Sequence, residues 1–203
     1  MPEVFLASRN AKKLEELRRI LTPALPGVEV LGLDDVAPYD EPVEDQPSFG
    51  GNALLKARAG LAATGLPSLA DDSGLCVDAL NGMPGVLSAR WAGVAKDDAA
   101  NNRLLLEQLA DVPDERRGAE FRCVVAFCHP DGHEELAPGV MRGRVIREQR
   151  GGGGFGYDVL FVPDEQEGEL TSAEMTAEVK DEISHRGQSL RAIAPAVARG
   201  LRG

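Results

Sequence analysis

The sequence predicts an α/β or α+β fold built on a mixed β-sheet. Short apolar segments typical of strands recur along the chain, and longer segments between them have helical periodicity. Hydrophobic residues make up 43% of the 203 residues and charged residues 27%, which is the balance of a globular protein. This length fits one ordinary domain or two small lobes that share a core.

The first predicted elements are a strand, a polar turn and an amphipathic helix. Val4–Ala7 is a short apolar run, and Asn10 is a suitable N-cap for the helix that follows. In this helix the apolar residues recur on one face, while lysine, arginine and glutamate occupy the others. The apolar positions are Leu14, Leu17, Ile20 and Leu21.

The same two periodicities predict the remaining elements. Further helices are expected at Asn52–Thr64, with Asn52 as the cap and Gly65 as the end, at Asp98–Leu109, and from Thr171 onward, where Leu190, Ile193, Ala194 and Val197 form an apolar stripe. Further strands are expected at Val28–Leu31, Ser68–Ala70, Leu75–Leu80, Glu120–Cys128, Val140–Ile146 and Tyr157–Val162.

The charge and cysteine content argue against several classes of protein. With 22 Lys and Arg against 33 Asp and Glu, the net charge is −11, which argues against a partner that is a nucleic-acid polymer or a membrane surface. A local cationic pocket is still compatible with this charge. No apolar run is long enough to span a bilayer, and no signal peptide is visible. Three cysteines without a C-x-x-C pair predict a reducing, cytoplasmic location.

Residues 8–13 form the first motif with chemical meaning. They link a strand to a helix N-terminus, where free backbone N–H groups and the positive end of the helix dipole favour an anion such as phosphate. An ordinary capped surface helix with solvated lysines is the alternative. The motif consists of Ser8, Arg9, Asn10, Ala11, Lys12 and Lys13.

Two adjacent acids, Asp71 and Asp72, end a predicted buried strand. Because side chains alternate along a strand, one carboxylate is able to face a cleft while the other supports the backbone. A carboxylate in this position is suited to hold Mg²⁺ or to accept a proton from water. The alternative is an Asp-Ser-Gly turn, but unpaired acids between apolar segments would be unfavourable. Glu44 and Asp45, in an acidic loop, resemble a solvated charge run that is also able to supply a metal ligand.

Two later motifs are suited to a heterocyclic base. The glycine-rich run that starts at Gly151 lacks the helix that a dinucleotide-binding motif requires, and a flexible linker is the alternative. Its Phe155 and Tyr157 would offer a flat apolar face. His185 and Arg186 offer adjacent donors for the edge of a purine that carries a carbonyl, against the alternative of an exposed helix start.

A zinc site is not predicted, although cysteines and histidines lie close together in the sequence. The spacing is irregular for zinc, and Cys123 and Cys128 are an odd number of residues apart, so they face opposite sides of their predicted strand. Both are expected to be buried or half-buried apolar groups. His129 and His133 complete the apparent cluster.

These motifs together resemble the inosine/xanthosine triphosphate pyrophosphatases, which remove non-standard purine nucleotides. The resemblance covers the whole chain, with departures at Gly51, where the family commonly has an acid, and at Arg9, where glycine is usual. The matching segments are residues 6–13, 48–57, 70–75, 84–90, 154–158 and 183–187.

The resemblance implies a two-lobed α/β fold with a long mixed central sheet, flanking helices and an active-site cleft between the lobes of a single domain, residues 1–203. It also implies a homodimeric, Mg²⁺-dependent enzyme that cleaves purine nucleoside triphosphates to the monophosphate and pyrophosphate. Asp72 would activate the attacking water on Mg²⁺, with Glu44 as a second metal ligand. The implied triphosphate contacts are Ser8, Arg9, Asn10, Ala11, Lys12, Lys13, Lys56, Ser73 and Lys180. The implied base and sugar contacts are Phe155, Gly156, Tyr157, Asp158, His185 and Arg186.

Two alternative functions stay open at this point. One is a pyrophosphatase of the related septum-inhibitor type, acting on other modified nucleotides. The other is a nucleotide-binding sensor without turnover. The presence of both Asp72 and Glu44 disfavours the sensor, because a pure binder gains little from acids beside a polyanion unless it recruits a metal.

Overall fold

The computed structural model describes residues 1–202, and these form six strands and five α-helices. The strands are β1 (Glu3–Leu6), β2 (Glu29–Leu31), β3 (Ser68–Val77), β4 (Gly118–Cys128), β5 (Glu134–Val145) and β6 (Phe161–Pro163). The helices are α1 (Ala11–Ala24), α2 (Phe49–Thr64), α3 (Asp98–Gln108), α4 (Ala177–Ile183) and α5 (His185–Gly200). A 3₁₀ helix at Gly85–Arg90 lies in the segment between β3 and α3.

The strands form one mixed sheet in the order β2-β1-β3-β4-β5-β6. Strand β1 runs parallel to both β2 and β3, whereas β5 and β6 are antiparallel. The predicted combination of a long mixed sheet with helices is therefore confirmed. The short strands β2 and β6 lie at the two edges, and Pro163 ends β6, as expected for an edge strand.

Helix α1 forms for the reasons that the sequence suggests. The side chain of Asn10 accepts a hydrogen bond from the backbone N–H of Lys13 at 3.2 Å, which confirms the predicted N-cap. Leu17 and Leu21 are buried on the apolar face of the helix, and Leu14 packs against the same core. Helix α3 and strand β4 also fall close to their predicted positions.

Two predictions around residues 48–77 are wrong. Ser48, not Asn52, caps α2, because its hydroxyl accepts the N–H of Gly51 and Asn52 is buried one turn further on. The two strands predicted on either side of Asp71 are one strand, β3. Gly74 lies inside it because a Cβ there would approach the carbonyl oxygen of Gly85 to 2.4 Å. Glycine is therefore needed at this position because two backbone segments lie close together, and not because the chain turns.

Other boundaries differ from the predictions at the edges of elements. Strand β5 begins at Glu134, six residues before the predicted Val140. Strand β6 begins at Phe161, because residues 157–160 form turns. The helical tail begins at Ala177 and is divided at Ser184 into α4 and α5. Its predicted apolar stripe, Leu190, Ile193, Ala194 and Val197, is buried.

The chain divides into two compact units, and strands β3, β4 and β5 contribute residues to both. The first unit contains residues 1–72, 123–139 and the chain from Arg186 onward, and the second contains residues 73–122 and 140–185. That these units form one domain with two lobes stays a prediction. Among the described residues, no helix has the length and apolar character needed to cross a membrane.

Among residues 1–202, two clusters of buried apolar side chains lie in the first unit and one lies in the second. Cys123 belongs to one core of the first unit and Cys128 to the other, and both are buried free thiols, as expected from their spacing. Burial raises the pKa of the Cys128 thiol to about 11, with Glu134 adding to the effect. These cysteines are therefore apolar core groups.

Candidate functional site

Asp71 and Asp72 are consecutive buried residues of β3, yet their carboxylates contact different partners in the first unit. The Oδ2 atom of Asp71 accepts hydrogen bonds from Nζ of Lys13 at 3.1 Å and from Arg186, with Nη2 at 3.3 Å. The guanidinium of Arg186 also pairs with Glu16. A cation thus lies between two buried carboxylates, while Lys13 approaches one of them from α1.

The charges around Asp71 keep it ionised. Burial alone would raise the pKa of this carboxyl group, but Lys13, Arg186 and Lys56 outweigh that effect and hold the pKa well below its usual range. In return, Asp71 and Glu16 hold the pKa of Arg186 above its usual value despite complete burial. Asp71 is consequently a poor proton acceptor and a strong anchor for cations.

Asp72 has a different environment. Asn52 of α2 donates from Nδ2 to Oδ2 of Asp72 at 2.9 Å, and its Oδ1 accepts the N–H of Gln46 at 3.0 Å. Burial raises the pKa of Asp72, opposed by Lys56, Lys13 and the hydrogen bond from Asn52, and assisted by Glu44. Two neighbouring carboxyl groups thus have pKa values displaced in opposite directions, which is a common property of acid–base sites.

Lys56 of α2 connects both acids to the acidic loop. Its Nζ donates to the backbone oxygen of Asp71 at 2.7 Å and pairs with Oε1 of Glu44 at 3.0 Å. Burial alone would lower the pKa of Lys56, but Asp71, Asp72 and Glu44 raise it. The carboxylates of Asp72 and Glu44 therefore lie around one ammonium group and interact with each other.

The residues of the first unit that could hold a magnesium ion are Asp72 and Glu44, which supply two carboxylates. Within residues 1–202, no group of three or more His, Cys, Asp or Glu side chains is arranged to hold a metal. Mg²⁺ is usually bound by only one or two carboxylates, with water and substrate phosphates as the other ligands. The oxygen ligands of Asp72 and Glu44 match that requirement.

Gly51 allows the acidic loop to lie close to α2. A Cβ at position 51 would lie 2.8 Å from Cβ of Gln46, so a side chain there would displace the segment that follows Glu44. Glycine at this position therefore allows the loop to pack directly on the start of the helix.

The predicted anion motif is only partly gathered around these acids. Lys13 contacts Asp71, whereas Asn10 caps α1 and Arg9 is exposed and pairs with Glu41 at 2.5 Å. Ser8 is half-buried, and Ala11 and Lys12 are exposed in the first turn of α1. Their roles as triphosphate contacts stay predictions.

The glycine-rich loop of the second unit is an ordered structure. The carboxylate of Asp158 accepts the N–H of Phe155 at 2.9 Å and Nζ of Lys180 at 2.7 Å. Lys180 also lies over the ring of Phe155, 5.4 Å from its centroid. The hydroxyl of Tyr157 donates to the backbone oxygen of Ser88 at 2.8 Å. The loop at residues 154–158 is therefore held at several points, and the alternative of a flexible linker does not describe it.

His185 and Arg186 are consecutive but have different surroundings. The imidazole of His185 is buried and stacks on Phe121, with ring centroids 4.9 Å apart and planes 9° apart, within the second unit. Arg186 is 2% exposed and belongs to the first unit, where it pairs with the carboxylates of Asp71 and Glu16. Ser73 is half-buried within β3. Contacts of these three residues with a substrate stay predictions.

Four residues that contact these groups are not predicted from the sequence. They are Glu16 beside Arg186, Asn52 beside Asp72, and Asp98 and Asn102 of α3, which both bind the backbone of Gly156. Asparagine is a poor helix former, and both asparagines lie inside helices. An asparagine inside a helix is a local signal of a tertiary hydrogen bond, but its burial and its partner are known only from the structure.

The sequence has clear relatives over its full length. It matches the Ham1 family over residues 4–196. A dITP/XTP pyrophosphatase from Nocardia farcinica (strain IFM 10152) is 60% identical over 98% of this chain and 96% of its own length. A dITP/XTP pyrophosphatase from Cutibacterium acnes (strain DSM 16379 / KPA171202) is 57% identical over all of both chains.

Solved structures agree with this relationship. A nucleoside-triphosphatase / dITP/XTP pyrophosphatase from Mycobacterium abscessus is 53% identical, with a TM-score of 0.76 over 95% of this chain and 99% of that one. The Ham1 protein of Staphylococcus aureus is 34% identical, with a TM-score of 0.84 over 96% and 97% of the two chains. The match in sequence and fold confirms the resemblance read from the motifs, and the chain belongs to the Ham1 family.

Proposed function

We propose that this protein is a Mg²⁺-dependent pyrophosphatase that hydrolyses non-standard purine nucleoside triphosphates, ITP, dITP and XTP, to the monophosphate and pyrophosphate. The observation that carries the proposal is the cluster of Asp72, Glu44 and Lys56, which combines ligands for a divalent cation with a donor for phosphate. The names of the closely similar relatives support the substrate class.

Asp72 is the general base in this proposal. Its raised pKa makes it a better proton acceptor than Asp71, and Asn52 fixes the orientation of its carboxylate. A water oxygen forms a bond to the α-phosphorus as its proton passes to Asp72. The bond from the α-phosphorus to the bridging oxygen breaks, and pyrophosphate leaves with that oxygen.

Asp72 and Glu44 would hold the Mg²⁺ ion. When bound, the ion neutralises phosphate charge and lowers the pKa of water. Lys56 stays beside both carboxylates and adds a fixed positive charge for the triphosphate. Lys13 is fixed by Asp71 and adds a second. Together these charges reduce the repulsion between the polyanion and an incoming nucleophile.

The remaining predicted contacts keep their roles in the proposal. Ser8, Arg9, Asn10, Ala11, Lys12, Ser73 and Lys180 bind phosphate oxygens. Phe155 and its loop offer a flat surface to the purine, and His185 and Arg186 donate to its 6-oxo group. Adenine has an amino group at this position and would leave buried donors unpaired, which disfavours ATP.

The decisive experiment measures pyrophosphate release from ITP with and without Mg²⁺. Asp72→Asn is expected to retain nucleotide binding and to lower turnover by about a hundredfold or more, the range for loss of a general base. Turnover of this variant near the wild-type value would contradict the assignment. A comparison of ITP, XTP, GTP and ATP tests the base preference, and equal rates on all four would contradict a role in removing non-standard nucleotides.

Adjacent acids offer a matched control for the metal assignment. Glu44→Gln is expected to raise the Mg²⁺ concentration needed for half-maximal activity, because it removes one anionic ligand. Asp45→Asn removes the same charge from the next residue, which is exposed and contacts the side chain of Gln46. Equal Mg²⁺ dependence of the two variants would contradict a specific role for Glu44.

The two alternatives give different results in the same assay. A sensor without turnover would bind ITP and release no pyrophosphate, with or without Mg²⁺. An enzyme for other modified nucleotides would release pyrophosphate from those substrates in preference to ITP and XTP. The proposal also includes a homodimer, which light scattering tests, and a cytoplasmic location, which fractionation of cells tests.

A further inference from the structure

Helix α3 holds the backbone of Gly156 by both of its polar groups. The carboxylate of Asp98 accepts the N–H of Gly156 at 2.8 Å. The side-chain amide of Asn102 donates to the backbone oxygen of Gly156 at 2.9 Å. Asp98 and Asn102 are four residues apart and therefore lie on one face of the helix. Two side chains on one face of α3 thus bind both the N–H and the carbonyl oxygen of Gly156.

The residue types at these positions are unfavourable for a helix and suited to this contact. Asn102 is 3% exposed, and its buried Oδ1 has no hydrogen-bond partner among the described residues. Asparagine inside a helix lowers helix stability, and a buried unsatisfied acceptor is also unfavourable. Both disadvantages are understandable if the bond to Gly156 is needed for the position of the loop.

The loop has a conformation that requires such support. Gly156 has φ +61° and Gly154 has φ +69°, both in the left-handed region that favours glycine. A Cβ at Gly154 would collide with the carboxylate of Asp158, which binds the N–H of Phe155. Phe155 is therefore held on both sides. Its own N–H binds Asp158, and α3 binds the N–H and the carbonyl oxygen of the next residue, Gly156.

We propose that Asp98 and Asn102 are positioning residues that set the orientation of Phe155 by fixing Gly156. This inference rests on the proposed function, in which Phe155 offers a flat surface to the purine. Neither residue needs to touch the substrate. Their loss should loosen residues 154–158 and weaken binding of the base, while the groups around Asp72 stay intact.

Hydrogen exchange followed by mass spectrometry tests the structural part without any nucleotide. In Asp98→Ala, exchange of the peptide that contains residues 154–158 should be faster by about tenfold, as expected for loss of one hydrogen bond to a charged acceptor. Asp98→Asn keeps an acceptor oxygen and should restore slow exchange. Arg103→Ala, an exposed change on the same helix, is the control. Because Asp98 is exposed, these variants avoid a change in the core.

Steady-state kinetics with ITP tests the functional part. Asp98→Ala and Asn102→Ala should raise KM by about tenfold with kcat within about twofold, which is the pattern for lost ground-state binding. Asp98→Asn should return KM toward the wild-type value. Arg103→Ala should change neither constant.

Each result is decisive. Unchanged exchange in both alanine variants would overturn the positioning role. Faster exchange with unchanged KM would overturn its connection to base binding. If the wild-type protein released no pyrophosphate from any purine triphosphate, the proposed function would fail, and faster exchange in the variants would still support the contact between α3 and the loop.

Discussion

The acids on β3 and the glycine-rich loop are fixed by different kinds of interaction. In the first unit, Asp71 is held by the buried cations Lys13 and Arg186. In the second, the loop at residues 154–158 is held mainly through backbone groups, with one buried ion pair between Asp158 and Lys180. The buried acid Asp71 thus has charged neighbours, whereas the loop that carries Phe155 is held mainly through its backbone.

This difference predicts unequal responses to mutation. Removing one partner of a buried ion pair leaves a buried charge uncompensated, which is strongly destabilising. Removing a neutral hydrogen bond has a smaller effect. Variants in both regions, measured by the same unfolding experiment, should separate these two modes of support.

The largest effect on stability is expected for Arg186→Met. Two buried carboxylates, Asp71 and Glu16, would lose their shared cation, and the free energy of unfolding should fall by about 3–5 kcal/mol. Urea unfolding monitored by circular dichroism measures this change. Arg199→Met is the control, because Arg199 is exposed and its contact with Glu135 is 3.7 Å long. A loss below about 1 kcal/mol, the range of exposed ion pairs, would show that the buried pairs are not a major support.

A smaller loss is expected for Lys180→Met in the second unit. Asp158 would lose a buried cation but keep the N–H of Phe155, so the free energy of unfolding should fall by about 2–3 kcal/mol. A double-mutant cycle with Asp158→Asn isolates the pair from the loss of each side chain. Additive effects of the two substitutions would contradict direct coupling between Lys180 and Asp158.

Local patterns in the sequence were sufficient to predict much of the fold, whereas the roles of the candidate site residues stay predictions. Helix α1 and its Asn10 cap follow from periodicity and from capping chemistry. These features depend on neighbours within a few residues. They could therefore be read without knowledge of the tertiary structure.

The errors occurred where distant contacts decide the role of a residue. The local sequence predicts a break between two strands at residues 71–74, because the close approach of Gly74 to Gly85 is visible only in the folded chain. It predicts Asn52 as a cap, whereas the buried side chain of Asn52 binds Asp72 in the folded chain. Likewise, no local pattern indicates that Arg186 contacts Glu16, 170 residues earlier in the chain. Pairings across such separations are set by the sheet and the packing of helices on it.

The two tyrosines of the chain allow a matched comparison of neutral contacts. Tyr157→Phe removes the hydrogen bond to the backbone oxygen of Ser88 and should lower the free energy of unfolding by about 1 kcal/mol. Tyr39→Phe in the first unit is the control, because Tyr39 is only half-buried and its ring packs on Phe5. Thermal unfolding of both variants measures the difference. Equal stability of the two would contradict a supporting role for the Tyr157 hydroxyl.

The smallest effect on stability is expected for Arg9→Ala, which separates buried from exposed charge within the first unit. Arg9 is 70% exposed and pairs with Glu41, so its loss should change the free energy of unfolding by less than about 0.5 kcal/mol, and less still in high salt. A loss of unfolding free energy as large as that of Arg186→Met would contradict the inference that burial determines how much an ion pair contributes to stability. The same variant tests the proposed triphosphate contact. KM for ITP should rise severalfold while stability stays unchanged, because the guanidinium of Arg9 would bind the triphosphate in place of Glu41 only when the nucleotide is present.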